Sequence, residues 1–242
     1  MSNSTIQLAR SIAFAQAFNQ LRPLTGVGAN SSYPNEPALS IGDWVRQAIL
    51  SPPFAWRWNR STASTSINST AQDYSIALPT FGWLETATIN NTSTGFNKEL
   101  EIRGTLTLDS TQNEPVYIAV QNDDGNGNIT FRVFPNPDTT YTLNLVYQNA
   151  PPVFSQVTDT WAPIPDYMNS IYNQGFLAKA YEQRGDEKFA FAIDLFFRQL
   201  IAVSEGLTED EKNIFLERQI ITQRQLRSVG GPINPAGIIN QK

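Results

Sequence analysis

Residues 160–200 read TWAPIPDYMNSIYNQGFLAKAYEQRGDEKFAFAIDLFFRQL, and the rest of the chain is best read outward from them. Pro163 and Pro165 lead the chain into a helix. A proline is tolerated in a first helical turn, because the N–H it lacks has no intrahelical partner there. Asp166 follows, an acid at the positive end of the helix dipole. Met168, Ile171, Tyr172, Leu177, Ala178 and Tyr181 then recur near a 3.6-residue period. Gly185 closes this helix and Asp186 caps the next, whose apolar side is Phe189, Ala190, Ile193, Phe196, Phe197, Leu200 and Ile201. The short link Arg184-Gly185-Asp186 predicts an antiparallel helix pair.

Upstream the pattern differs. Ser4 to about Leu21 reads as a first helix with Ile6, Ala9, Ala13 and Ala17 near one face and Asn3 or Ser4 as its cap. Residues 25–40 are rich in Gly, Ser, Asn and Pro and read as loop. Ile41–Leu50 reads as a second helix, with Trp44, Val45, Ala48 and Ile49 on its buried side. From Phe54 the period becomes two: Phe54-Ala55-Trp56-Arg57-Trp58-Asn59 alternates as a half-buried strand does. A Ser/Thr-rich stretch follows. Further strands are expected at 73–79, 81–89, 99–108, 116–120, 128–134 and 141–147, with Asn122 to Gly127 as a hairpin turn. Downstream, Thr208 and Glu211 form a capping box for a last helix to about Arg227. Residues 230–242 read as an extended arm carrying Ile233, Pro235, Ile238 and Ile239, candidate docking residues.

The expected fold class is therefore α+β: an α-helical bundle formed by both chain ends, with an inserted antiparallel β-sandwich or barrel-like domain. The expected division is 1–53 and 161–229 for the helices, 54–160 for the β insert and 230–242 for the arm.

Composition removes several chemistries. The 242 residues include no Cys and no His. Disulfides, thiolate metal sites and every nucleophile system built on histidine are thus excluded. No apolar run approaches the ~20 residues a membrane helix needs, and the N-terminus does not read as a signal peptide. Net charge is −5. Residues 54–160 hold five basic residues (Arg57, Arg60, Lys98, Arg103, Arg132) against ten acidic ones, so this stretch alone accounts for the net charge. A surface of that sign does not grip phosphates.

No catalytic set emerges. Asp124-Gly125-Asn126-Gly127-Asn128 begins like a calcium loop but has Ile129 at the sixth position and Pro135 at the twelfth, so a hairpin explains it. Seven Asn-x-Ser/Thr sites (Asn3, Asn30, Asn59, Asn68, Asn90, Asn91, Asn128) reflect composition. Glu99 and Glu101 lie on one strand face as neighbouring solvated acids rather than a glycosidase pair. Trp56-Arg57-Trp58 could stack a sugar or base, but alternation favours both rings facing a core. Enzyme activity, cofactors and metals are therefore not expected.

Several blocks, in order, resemble the head-to-tail adaptors of tailed bacteriophages, of the tubular or gatekeeper type. They are FAWRWNR; Tyr74 to Pro79 as Tyr-x-x-x-Leu-Pro; Pro135-Asn136-Pro137-Asp138 before Tyr141 to Tyr147 as Tyr-x-Leu-x-Leu-x-Tyr; and Trp161 to Asp166 opening a helix. The resemblance spans about residues 40–200. It implies a structural virion protein, assembled in the bacterial host cytoplasm, forming a ring of typically twelve copies in the neck. Implied partners are the portal protein, tail or nozzle proteins and further copies of the chain. DNA would pass without specific binding, and the C-terminal arm would reach the portal. A virion-associated carbohydrate- or receptor-binding module is the alternative that the Trp cluster and the strands leave open.

Overall fold

The computed structural model describes residues 4–17, 36–91, 93–183, 185–204 and 206–217. Two helices come first, α1 (Leu8–Ala17) and α2 (Glu36–Leu50). Ten strands follow: β1 (Arg60–Ile67), β2 (Asp73–Ala77), β3 (Phe81–Asn91), β4 (Phe96–Glu99), β5 (Glu101–Arg103), β6 (Gln112–Asn113), β7 (Tyr117–Asp123), β8 (Asn128–Phe134), β9 (Asn136–Pro137) and β10 (Tyr141–Asn149). The chain then forms α3 (Asn169–Gln183) and α4 (Phe189–Val203), and residues 209–217 are again helical.

The strands make two four-stranded sheets, β1-β10-β3-β4 and β2-β8-β7-β5, and a short pair, β6-β9. The two larger sheets face one another over a shared core, with Ile67, Ile89 and Leu143 from one and Ile118, Phe131 and Val133 from the other. On β10 the period of two is clean: Tyr141, Leu143, Leu145 and Tyr147 are buried and the residues between them half-exposed. The β7–β8 hairpin needs its glycines. Gly125 and Gly127 have φ of 72° and 89°, and a Cβ on Gly127 would lie 2.7 Å from Pro79 Cα. A second core gathers α1, α2, α3 and α4 around Ile41, Val45, Trp161, Tyr172, Phe176 and Phe196. Gly175 lets α3 approach α4, since a Cβ there would meet the Phe196 ring at 2.7 Å.

The expectation of a bundle formed by both chain ends around an antiparallel sandwich or barrel-like insert is corrected here. The helices are internal: α1 starts only at Leu8, after residues 4–7 have run extended along the 157–161 segment, and α2 starts at Glu36. The sheets do not close into a barrel. Each ends in unpaired edge strands, and β5–β7 and β6–β9 pair in parallel. Closure needs a continuous ladder of tilted strands, and here the chain leaves one sheet for the other at Leu100, cutting the expected 99–108 strand in two.

Two local readings also change. Residues 54–59 are not a strand. Phe54 N–H bonds Ser51 O (3.2 Å) and Asn59 N–H bonds Trp56 O (3.0 Å), so they form turns ending in a 3-10 segment, Arg57–Asn59. The alternation was real, but it aims Phe54 and Trp56 into the helical core. The Ser/Thr-rich stretch, given no element from sequence, is the strand β1, paired without a break to β10 from Arg60↔Gln148 to Ile67↔Tyr141. α2 begins earlier than read, because Pro37 suits a first turn. Gly185 does stop α3, with φ of 66°. The capping box forms as well: Thr208 N–H donates to Glu211 Oε2 (2.8 Å) and Glu211 N–H to Thr208 Oγ1 (3.3 Å).

Candidate functional site

The segment from Pro151 to Asp166 brings the chain back from the β region to the helices, and one face of α2 receives it. Gly42, Arg46 and Ile49 share that face at i, i+4, i+7 spacing. Gly42 leaves a notch for Phe154, whose ring carbons would lie 2.9 Å from any Cβ placed there. Asp43 Oδ1 accepts the Phe154 N–H at 2.7 Å. Arg46, only 2% exposed, lays its guanidinium 3.5 Å from the Phe154 ring centroid. It donates to Pro152 O (2.8 Å) and Thr160 O (2.5 Å), bridging both ends of the segment. Burial lowers its pKa to about 10, opposed by the charges of Asp43 and Asp159. Cation–π contact and two carbonyls replace the water it has lost.

Trp161 is the centre of this arrangement. It is fully buried, stacks on Tyr172 at 4.4 Å, meets Phe154 edge-on at 5.1 Å and donates its indole N–H to Ser11 Oγ at 3.0 Å. Residues 4–9 clasp the same segment from outside. Leu8 and Ala9 N–H donate to Asp159 O and Val157 O, and Trp161 N–H donates to Ile6 O. Asp166 accepts from Ser4 Oγ (2.6 Å), Thr5 Oγ1 (2.9 Å) and Thr5 N–H (3.1 Å), with Ser4 foremost in lowering its pKa. The Trp161–Asp166 motif thus locks the N-terminal segment, α2 and α3 together. Sequence reasoning missed Arg46; a lone cation in line with Gly42 and Ile49 was the available signal.

A polar joint ties the two cores. Buried Gln148 accepts the Trp56 N–H at 3.2 Å and donates to Glu85 at 2.7 Å. Asn59 and Asn149 exchange amide-to-carbonyl bonds of 3.0 and 2.7 Å, and the Trp83 indole N–H reaches Leu50 O at 3.2 Å. Trp56 is buried and stacks on half-buried Trp58 at 5.5 Å. The rings proposed for sugar or base stacking are therefore spent on the core.

The surface of the β region is acidic in fact as well as in composition. Ion pairs hold basic residues here: Arg60–Glu85, Lys98–Glu114, Arg103–Glu101 and Arg132–Asp73. The exposed Asp109, Asp123, Asp124 and Asp138 bind local N–H or hydroxyl groups instead. Asp124 holds the hairpin, accepting from the Asn126 and Asn128 N–H groups and the Asn128 amide, with the Asn128 bonds foremost in lowering its pKa. Glu99 and Glu101 fall in different sheets, and Glu101 pairs with Arg103. On the helical side, Tyr167 and Phe191 stand 65% and 74% exposed. A cleft of about 490 Å³ lies between Thr70, Asp73, Leu108, Asp109 and Asn136, and its Gln72 amide is bonded to the Asp109 backbone. Among the described residues no three acids gather at metal-binding distance, and no helix is long and apolar enough to cross a membrane. Ile233, Pro235, Ile238 and Ile239 lie outside the described residues.

The model of the SU10 adaptor protein family matches residues 12–214, a span that takes in both cores and the segment joining them. The chain belongs to that family. It is a structural protein of a tailed phage, a head-to-tail adaptor, as the ordered blocks from Phe54 to Trp161 implied. The SU10 adaptor assignment also fits what the site does: its buried polar groups hold segments of chain in place. No curated protein matches the chain.

Proposed function

We propose that this SU10 adaptor is the subunit of a closed ring, of about twelve copies by analogy with the adaptors it resembles, seated in the neck between portal and tail. The observation that carries the reading is the family match running unbroken through the helical core, the polar joint and the sandwich. A joint cross-tied through Gln148, Asn59, Asn149 and Trp83 suits a subunit that must hold one shape between two partners. The portal protein binds on one side of the ring and tail or nozzle proteins on the other, and the arm at 230–242, through Ile233, Pro235, Ile238 and Ile239, reaches the portal. The acidic β surface lines the channel, where like charge lets DNA pass without specific binding. The protein is assembled in the bacterial host cytoplasm and stays in the virion.

Particles made without the chain test this. They should contain DNA-filled or leaking heads and separate tails, and wild-type levels of joined particles would overturn the reading. Removing residues 230–242 should leave the melting transition unchanged while abolishing co-sedimentation with the portal. Undiminished co-sedimentation would remove the arm from the account.

A further inference from the structure

The four edges of the two larger sheets are not alike. β2 and β5, the edges of one sheet, have five and three residues. β5 carries the charged Glu101 and Arg103, and β2 begins with Asp73 ion-paired to Arg132. Such short or charged edges are the usual protection against stray strand pairing. β1 has none of it. It is eight residues long, with no proline, no lysine and no charge after Arg60, and its ladder to β10 has no bulge. From Ser61 to Ile67 its backbone pairs with β10 alone among the described residues, so one side of the strand offers free N–H and C=O groups.

The opposite edge of the same sheet is β4, four residues with Lys98 and Glu99, which among the described residues pairs only with β3. Every pairing in this sheet is antiparallel, so β1 and β4 run in opposite senses. A second copy placed alongside would therefore meet β1 with a β4 of the right direction. The rows across the sheet set the level. Ser64, Asn144, Thr88 and Glu99 lie in one row, and Ser66, Thr142, Asn90 and Asn97 in another. Joined at the same level, exposed Ser64 and Ser66 face exposed Glu99 and Asn97, while core-facing Ile67 meets Phe96 and Thr65 meets Lys98. Polar thus faces polar on the outer side, and the apolar pair extends the core. Two different edges of one molecule joined head to tail make a heterologous contact, the type that closes into rings.

We propose that the β1 edge of one copy adds to the β4 edge of the next, Ser64 against Glu99 and Ser66 against Asn97, so that one sheet continues from copy to copy around the ring. This rests on the ring reading above. The absence of cysteine from the chain makes it testable directly. Residues directly opposed on paired strands sit about 4.5–5.5 Å apart at Cα, within disulfide reach. Inside one copy, positions 64 and 99 are three strands apart, roughly 14 Å at ~4.8 Å per strand, beyond it. Particles carrying Ser64→Cys with Glu99→Cys, or Ser66→Cys with Asn97→Cys, should on oxidation give a non-reduced ladder climbing well past the dimer. Each single variant should stay monomeric. An intact neck ring by electron microscopy with no ladder, or with a ladder ending at the dimer, overturns the edge pairing and leaves the ring standing. A dimer from Ser64→Cys alone means β1 pairs with itself, which also overturns it. Joined particles with no ring overturn the ring reading instead.

Discussion

The helical core depends on a few large buried side chains that reach across the chain, whereas the β region is held by ladders and by ion pairs near its surface. Trp161 contacts residues on α1, α3 and the returning segment, and Arg46 spans both ends of that segment. Neither has a substitute. In the sandwich, by contrast, β10 is paired along both sides and the ion pairs are separate from one another. One region concentrates its stability in single residues, and the other distributes it.

The largest effect should therefore come from Trp161→Ala. Loss of a fully buried indole costs about 3–5 kcal/mol, and it also strips Ser11 Oγ of a donor. Thermal unfolding followed by near-ultraviolet circular dichroism should show a lower Tm and a disturbed aromatic signal. A change under about 0.5 kcal/mol, the range of an ordinary surface substitution, would break the contrast. Arg46→Met should rank next. It removes the charge-assisted hydrogen bonds to the Pro152 and Thr160 carbonyls, roughly 1.5–3 kcal/mol each, offset in part by relief of the buried charge. Arg46→Lys should recover little of the loss in urea unfolding, since an ammonium lacks the fork that reaches both carbonyls.

A third effect is the pH profile. Asp73, Asp159 and Asp166 are held below the usual carboxylate range, chiefly by the Arg132 side chain, the Ser155 N–H and the Ser4 hydroxyl respectively. Their folded pKa lies below the unfolded one, so the unfolded chain binds protons first as pH falls. Stability should hold above about pH 5 and decline below about pH 4. Burial pushes the Tyr141 and Tyr172 phenols up to about 12. Their contribution is full below pH 10 and is lost as pH rises towards 12. With no histidine in the chain, unfolding midpoints measured between pH 6 and 8 should be level. The smallest effect is expected from Lys98→Met. Its pair with Glu114 is about one-third exposed, and such pairs contribute under ~1 kcal/mol. A larger loss in the same melts would show that the sandwich too depends on single residues.

Much of this was legible in the sequence. The period of 3.6 over 168–181 and 189–201, the Gly185 stop and the Thr208–Glu211 box are local signals with local causes, and the structure places them where they were read. Residues 54–67 show where local reading fails. Aromatic alternation at Phe54, Trp56 and Trp58 mimics a strand, but the rings serve a helical core that only tertiary packing creates. Ser/Thr-rich β1 gets no element from sequence, yet it is a strand because β10 lies beside it. Arg46 escaped because its partners are carbonyls more than 100 residues away. The assignment of strands to the two sheets escaped because the switch at Leu100 has no marker in composition.

Cryo-electron microscopy of the particles that contain this protein is the most direct test of its role. A closed ring on the portal axis is expected, with the acidic strands toward the channel and β1 beside β4 of the neighbouring copy. Density on a peripheral fibre or on the capsid surface, with nothing of this shape in the neck, would contradict it.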